Sequence, residues 1–162
     1  MIIRNALEED IPHILNIINE AIINTTSVYD YAPRTLQTQT EWFNKKINDN
    51  MPVVVGEIDG KVIAFGSYGI FRPWEGYRFS VEHSVYVDKN HRGKGLGKKL
   101  LKQLIEKAKL QGYHTMIAGI DATNLASISL HEKFGFKEAG RFKEVGHKFN
   151  TWLDLVFMQL ML

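Results

Sequence analysis

Apolar residues recur along this chain at two different spacings. From Asp10 onward, Ile11, Ile14, Leu15, Ile18, Ala21 and Ile22 return every third or fourth position, which puts them on one helical face, with Pro12 tolerated in the first turn. Leu96, Leu100, Leu104 and Ala108 make a second such stripe, and Gly112 is its stop. A helix through EWFNKKI can be capped by Thr35 or Thr38, and LASISLHEKF is a short helix ended by Gly135. Between these lie β-branched and alternating runs: MIIRNAL, VVVGEI, KVIAFGSYGI, FSVEHSVYV, TMIAGID, and two C-terminal strands around FKEAGRFKEVGHK and TWLDLVFMQLML. Asp59-Gly60 between the second and third runs is a two-residue hairpin signal. NTTSVYDYAPRT and FRPWEGYR read as loops. The pattern predicts a mixed α/β protein whose sheet is partly antiparallel. With no repeat, low-complexity tract or linker, residues 1–162 read as a single domain.

Composition narrows the functional classes. A chain of 162 residues fits one domain. The absence of cysteine removes disulfides, thiolate metal sites and a thiol nucleophile. A formal net charge of +2 is too small to argue for nucleic acid. The apolar runs are too short to span a bilayer, and MIIRNALEED turns acidic where a signal peptide stays apolar, so a cytoplasmic protein with no membrane partner is expected. His13, His91, His114 and His147 have no metal-ligand spacing, and no metal is expected.

One segment fits neither periodicity. In NHRGKGLGKKL, residues 90–100, Gly93, Gly95 and Gly97 alternate with Lys and Leu between a strand and a helix. Alternating glycines weaken both regular structures, but a glycine loop entering a helix offers unpaired N–H groups and the positive end of the helix dipole to an anion. The plainer reading is a flexible basic turn. A P-loop is weakened because Gly93 and Gly97 are one residue too close and Lys99 stands where a hydroxyl is needed. A dinucleotide fingerprint is weakened because the run is G-x-G-x-G and follows a hairpin.

Arg92-Gly93-Lys94-Gly95-Leu96-Gly97 matches R-x-x-G-x-G, the acyl-CoA pyrophosphate loop of the GNAT superfamily of N-acetyltransferases. Downstream, NLASISLHEKFGF is similar to that superfamily's N-x-x-A-x-x-x-Y-x-x-x-G-F helix: Asn124, Gly135 and Phe136 fit, Ser127 replaces the Ala and His131 the Tyr. The element order also agrees, so the resemblance covers essentially the whole chain. FRPWEGYRFSVEHSVYV resembles the branch that acetylates phosphinothricin and methionine sulfone or sulfoximine, small amino acids with a free α-amine.

The resemblance implies a GNAT-type, largely antiparallel central sheet with helices on both faces, acetyl-CoA as co-substrate, and a homodimer. It implies that the backbone of Val85, Tyr86 and Val87 pairs with the pantetheine arm, and that an N–H there faces the thioester oxygen as charge develops. It further implies that Gly93 to Lys98 (Gly93, Lys94, Gly95, Leu96, Gly97, Lys98) wrap the pyrophosphate, with Lys94 and Lys98 adding charge, and that Asn124 touches the cofactor. Val85 and Val87 also suit plain core packing.

The chemistry needs a neutral amine, and a carboxylate can take its proton. Glu82 is the candidate, on the strand face shared with Ser80, Ser84 and Tyr86, whereas His83 points to the other face and reads as structural. His131 is a candidate for protonating the leaving thiolate, since an imidazole can be charged near neutrality; helping to deprotonate the amine, or only lining the pocket, are its alternatives. Arg72 and Arg78 bracket the loop before Glu82 and can hold a substrate carboxylate, and Trp74 can wall the pocket. Trp42 and Trp152 read as core or dimer contacts. A Ser/His/Asp hydrolase is disfavoured because no G-x-S-x-G occurs. Two rivals remain: a protein N-terminal, lysine or polyamine acetyltransferase on the same fold, and a non-catalytic acyl-CoA-binding domain.

Overall fold

A computed structural model describes residues 2–162. The strands are β1 (Ile2–Asn5), β2 (Val53–Ile58), β3 (Lys61–Ile70), β4 (Ser80–Val87), β5 (Thr115–Asp121), β6 (Lys137–Lys148) and β7 (Thr151–Met161). They form one seven-stranded sheet in the order β1-β2-β3-β4-β5-β7-β6. Every pairing is antiparallel except β4 with β5. The β2–β3 turn is the predicted Asp59-Gly60, with φ of 50° and 74°, both in the left-handed region that a tight hairpin requires.

Four helices cover the sheet: α1 (Ile11–Asn24), α2 (Leu36–Asn48), α3 (Leu96–Leu110) and α4 (Leu125–Glu132). On one face, Ile11, Ile14, Ile18 and Ile22 of α1 and Phe43 of α2 pack on Val53, Val55 and Phe65. On the other, Leu100, Leu101, Leu104 and Ala108 of α3 pack on Val54, Ala64, Val81, Met116 and Val156. The α3 stripe is the predicted one, and truncating a fully buried member such as Leu104 to Ala costs about 2–5 kcal/mol. Thr35, not Thr38, caps α2: its Oγ1 accepts from the Thr38 amide at 3.1 Å.

Position in the sheet creates the cleft. β4 and β5 pair only through Ser80–Thr115, Val81–Met116 and Glu82–Ile117, then part. Beyond Glu82, β4 keeps β3 on one side as far as Val87 but has no strand on the other. A parallel pair that opens at its C-terminal end leaves main-chain donors and acceptors facing a gap, and such groups need a partner. Above the gap, the loop after α1 is tied down by Lys148 of β6, whose buried ammonium donates to the carbonyls of Ile22, Thr25 and Val28.

Candidate active site

The gap is a cleft of about 580 Å³ whose two long walls are His83–Val87 of β4 and Ala118–Asp121 of β5. The glycine run closes one end. Gly93 and Gly95 have φ of 76° and 78°, so an L side chain at either is strained, and the Cβ space at both is open. Gly95 caps α3 with no side-chain hydrogen bond, and the Leu96, Gly97 and Lys98 amides have no main-chain acceptor among the described residues. These amides and the helix dipole fit the pyrophosphate of an acyl-CoA. Arg92 braces the loop by donating to the Val87 carbonyl at 3.1 Å and pairing with Glu20 of α1.

The cleft gathers most of the expected cofactor residues: Val85, Tyr86, Val87, Arg92, Gly93, Gly95, Leu96, Gly97, Lys98 and Asn124. Lys94 is not among them; its Nζ turns back to the Asn90 carbonyl at 3.2 Å. Asn124 Oδ1 accepts from the Ser127 amide, capping α4, and its amide nitrogen is free to donate to a ligand.

Glu82 lies on the other face of β4 from His83, beside the cleft rather than in its lining. It is half-buried, and Arg72 Nη1 stands 3.9 Å from its Oε2. Burial pushes its carboxyl above the usual carboxylate range, and the Arg72 charge pulls it part of the way back. A glycine flanks it on each neighbouring strand. Gly69 faces it across β3–β4, and a Cβ there would lie 2.9 Å from Lys46 Nζ; a Cβ on Gly119 of β5 would lie 3.0 Å from Glu82 Oε1. The missing Cβ atoms thus leave room for an ammonium and for the carboxylate itself. Gly119 also lines the cleft, so it is the point at which Glu82 meets the cleft wall.

Two expectations at this end are corrected. Arg78 is not drawn to Glu82: it pairs with Glu75 at 3.3 Å and stacks over Phe79 on the surface. Trp74 does not wall the pocket: it is 67% exposed and leans on Tyr77. Both flank a short 3-10 turn, Glu75–Tyr77, that carries them away from the sheet, while Arg72, just past the end of β3, is held over the Phe71 ring.

His131 is buried in the cleft wall, and that burial lowers its basicity while the Ser127 carbonyl raises it in part. Its Nδ1 lies 2.7 Å from the Ser127 carbonyl and its Nε2 3.0 Å from His83 Nε2. His83, read as merely structural, is part of the site. Lys46 and Lys148 were also missed. Burial lowers the Lys46 ammonium to about 8 while it donates to the Tyr68 carbonyl at 2.8 Å. The available signal was Gly69, a glycine inside a strand, which marks a close approach.

A helix N-terminus opened by glycines beside a split parallel pair suits an acyl-CoA-dependent transferase. Residues 16–136 match the acetyltransferase (GNAT) family, and the chain belongs to it. It is 47% identical to the L-methionine sulfoximine/L-methionine sulfone acetyltransferase of Pseudomonas aeruginosa, over 98% of this chain and 92% of that one. A crystal structure of a ribosomal-protein-alanine N-acetyltransferase from Brucella melitensis has a TM-score of 0.99 at 47% identity, covering 100% of both chains. A GNAT phosphinothricin acetyltransferase from Sinorhizobium meliloti, solved with acetyl-CoA, has a TM-score of 0.97 at 34% identity, covering 99% of this chain and 88% of that one. Among the described residues, no group of side chains could hold a metal ion and no helix is long and apolar enough to cross a membrane.

Proposed function

We propose that this chain, acting as one domain, moves the acetyl group of acetyl-CoA to the α-amine of a small amino acid with a polar, tetrahedral side-chain end. Methionine sulfone, methionine sulfoximine and phosphinothricin are the test substrates. The observation that carries the reading is the continuous path from the open α3 amides, along the unpaired edge of β4, to Gly119 and the Glu82–Arg72 pair. Pyrophosphate, pantetheine, thioester and amine need these environments in this order.

In this reading the Leu96–Lys98 amides and Lys98 hold the pyrophosphate, and the Val85–Val87 backbone holds the pantetheine amides. Glu82 takes a proton from the incoming ammonium, since only a neutral amine has the lone pair that attacks. Arg72 faces Glu82 and pairs with the substrate carboxylate, two bonds from the amine. No covalent enzyme intermediate forms. The test is thiol release from acetyl-CoA with each substrate and, as a rival, with a peptide beginning in alanine. Release with the amino acids and not the peptide is expected; the reverse transfers the activity to protein N-termini, and binding without release leaves a non-catalytic domain.

The working form is a homodimer in the cytoplasm. Phe142, Val145, Phe149 and Trp152 stand exposed on the β6–β7 hairpin, where a second copy would cover them. Light scattering on the eluted protein should give twice the chain mass, and a single-chain mass would contradict the dimer.

A further inference from the structure

His83 and His131 both line the cleft and are 8% and 6% exposed. Their rings lie 23° apart in plane, with the Nε2 atoms 3.0 Å from each other. Two imidazole nitrogens at that distance share one hydrogen, one donating and one accepting. The far side of His131 decides which. Its Nδ1 lies 2.7 Å from the Ser127 carbonyl, which can only accept, so Nδ1 carries the hydrogen. In the neutral ring Nε2 then bears the lone pair and accepts from His83 Nε2–H. His83 Nδ1 is left with a lone pair, buried and without a protein partner.

The surroundings favour a neutral resting pair. Burial lowers both imidazoles, and His131 further disfavours a charge on His83, while the Ser127 carbonyl pulls His131 part of the way back up. Phe136 packs edge-on against both rings. Glu82, the preceding residue of β4, lies on the opposite face. β3 presents Tyr68 opposite His83, its hydroxyl bonded to Gln111. β5 adds apolar Ala118 and Ile120 and, at its end, the buried Asp121 side chain, which accepts from Thr123, while His91, Lys98 of α3 and Lys133 after α4 also line the cleft.

We propose that His83 is a positioning residue for His131: its Nε2–H fixes the His131 ring and tautomer and joins the two rings into one proton-holding unit in the cleft wall. The proposal rests on the acetyltransferase reading above. A resting pair has no proton to release, because His131 Nδ1–H is spent on Ser127 and His83 Nε2–H on His131. It therefore keeps its two hydrogens through the reaction. When the neutral amine attacks the thioester, the C–N bond forms, the C–S bond breaks, the nitrogen sheds one proton to solvent in the open cleft and the sulfur gains one from it, leaving an N-acetyl product and free thiol. The pair's one free lone pair, His83 Nδ1, is buried out of reach of both atoms, so the pair acts on the rate by holding the His131 ring in place in the cleft wall. Glu82 deals separately with the earlier proton of the ammonium.

Nitrogen-15 NMR of histidine-labelled wild-type protein reads the pair without mutation. His131 is expected as the Nδ1–H tautomer across about pH 6 to 8, with His83 as the Nε2–H tautomer. His131 found as Nε2–H, or charged throughout that range, overturns the proposal. His83→Leu then removes the donor at similar size, and His83→Gln restores an N–H near the Nε2 position. His83→Leu should lower kcat at least about tenfold with acetyl-CoA Kd nearly unchanged, and should release the His131 tautomer; His83→Gln should recover most of both. Equal loss in the two variants with the His131 tautomer unmoved would show a packing role and end the proposal. If wild type binds acetyl-CoA yet acetylates no amine, the functional reading fails instead, and the tautomers still report on the pair.

Discussion

The two ends of the cleft are built from different materials. At the α3 end the groups aimed at a ligand are main-chain amides, freed because Gly95 caps the helix without a side chain. At the Glu82 end they are side chains from distant segments: Arg72 faces a carboxylate that Gly119 leaves room for, and Lys46 fills the space that Gly69 leaves on the next strand. A neighbouring helix sharpens the contrast. α4 opens on the same cleft, but Asn124 satisfies its Ser127 amide, so it offers less to an anion. In the proposed reading, the backbone end recognises what all acyl-CoA thioesters share, and the side-chain end carries the proton chemistry and the choice of acceptor.

Each end can therefore be broken alone, and the largest effect belongs to the base. Glu82→Gln keeps shape and removes basicity, so kcat should fall about 10²–10⁴-fold while acetyl-CoA Kd stays put. The loss should shrink at high pH, where more amine is already neutral; a kcat/KM profile that tracks wild type would remove Glu82 from the chemistry. The wild-type acid limb carries its own sign. Glu82 works only when ionised and burial raises its pKa, so activity should be lost at a higher pH than for an ordinary carboxylate. Arg72 favours the ionised form, so Arg72→Ala should move that limb further up, whereas Arg78→Ala, paired with Glu75 instead, should leave it in place.

Next in size is substrate recognition. A charge-assisted pair to a carboxylate is worth about 1.5–3 kcal/mol, so Arg72→Ala should raise KM for the amino acid by roughly ten- to a hundredfold, with little change at Arg78→Ala. Equal effects would mean that the 71–79 loop moves as a whole when substrate binds.

At the other end, Gly95→Val puts a side chain on a backbone at φ 78° and into the space the pyrophosphate needs. Acetyl-CoA affinity should fall by at least about tenfold, or ~1.4 kcal/mol, with the pH profile unmoved; unchanged affinity by calorimetry would reject the phosphate-loop assignment. The smallest effect is expected where the ends meet. Gly119→Ala brings a Cβ within 3.0 Å of Glu82 Oε1, the movable end of that side chain. A displaced base should cost kcat roughly tenfold or less and leave KM for acetyl-CoA alone.

The contrast also explains what could be read from sequence. The seven strands, four helices and glycine loop were legible because each depends on local periodicity, caps and turn chemistry. The shape of the α3 end was legible for the same reason, since its glycines are nearly contiguous before a helix, whereas its reading as an acyl-CoA loop came from the resemblance of the R-x-x-G-x-G run. The acceptor end depends on which side chains the sheet order brings together. Trp74 and Arg78 lie as near to Glu82 in sequence as Arg72 does, yet a 3-10 turn carries them outward. Lys46 is 36 positions from Glu82 and reaches its vicinity only because α2 crosses the face of β3 at Gly69. The alternation rule correctly put His83 opposite Glu82 but could not reveal that His131 waits on that face.

The most direct test of the central claim is thiol release from acetyl-CoA with methionine sulfone and with its α-amide, compared as kcat/KM in wild-type protein. The two present the same amine and side chain and differ in the charge that Arg72 is placed to meet. The acid should react at least about tenfold better, the lower end of a charge-assisted pair worth ~1.5–3 kcal/mol. Equal rates for acid and amide would contradict an enzyme built for free amino acids.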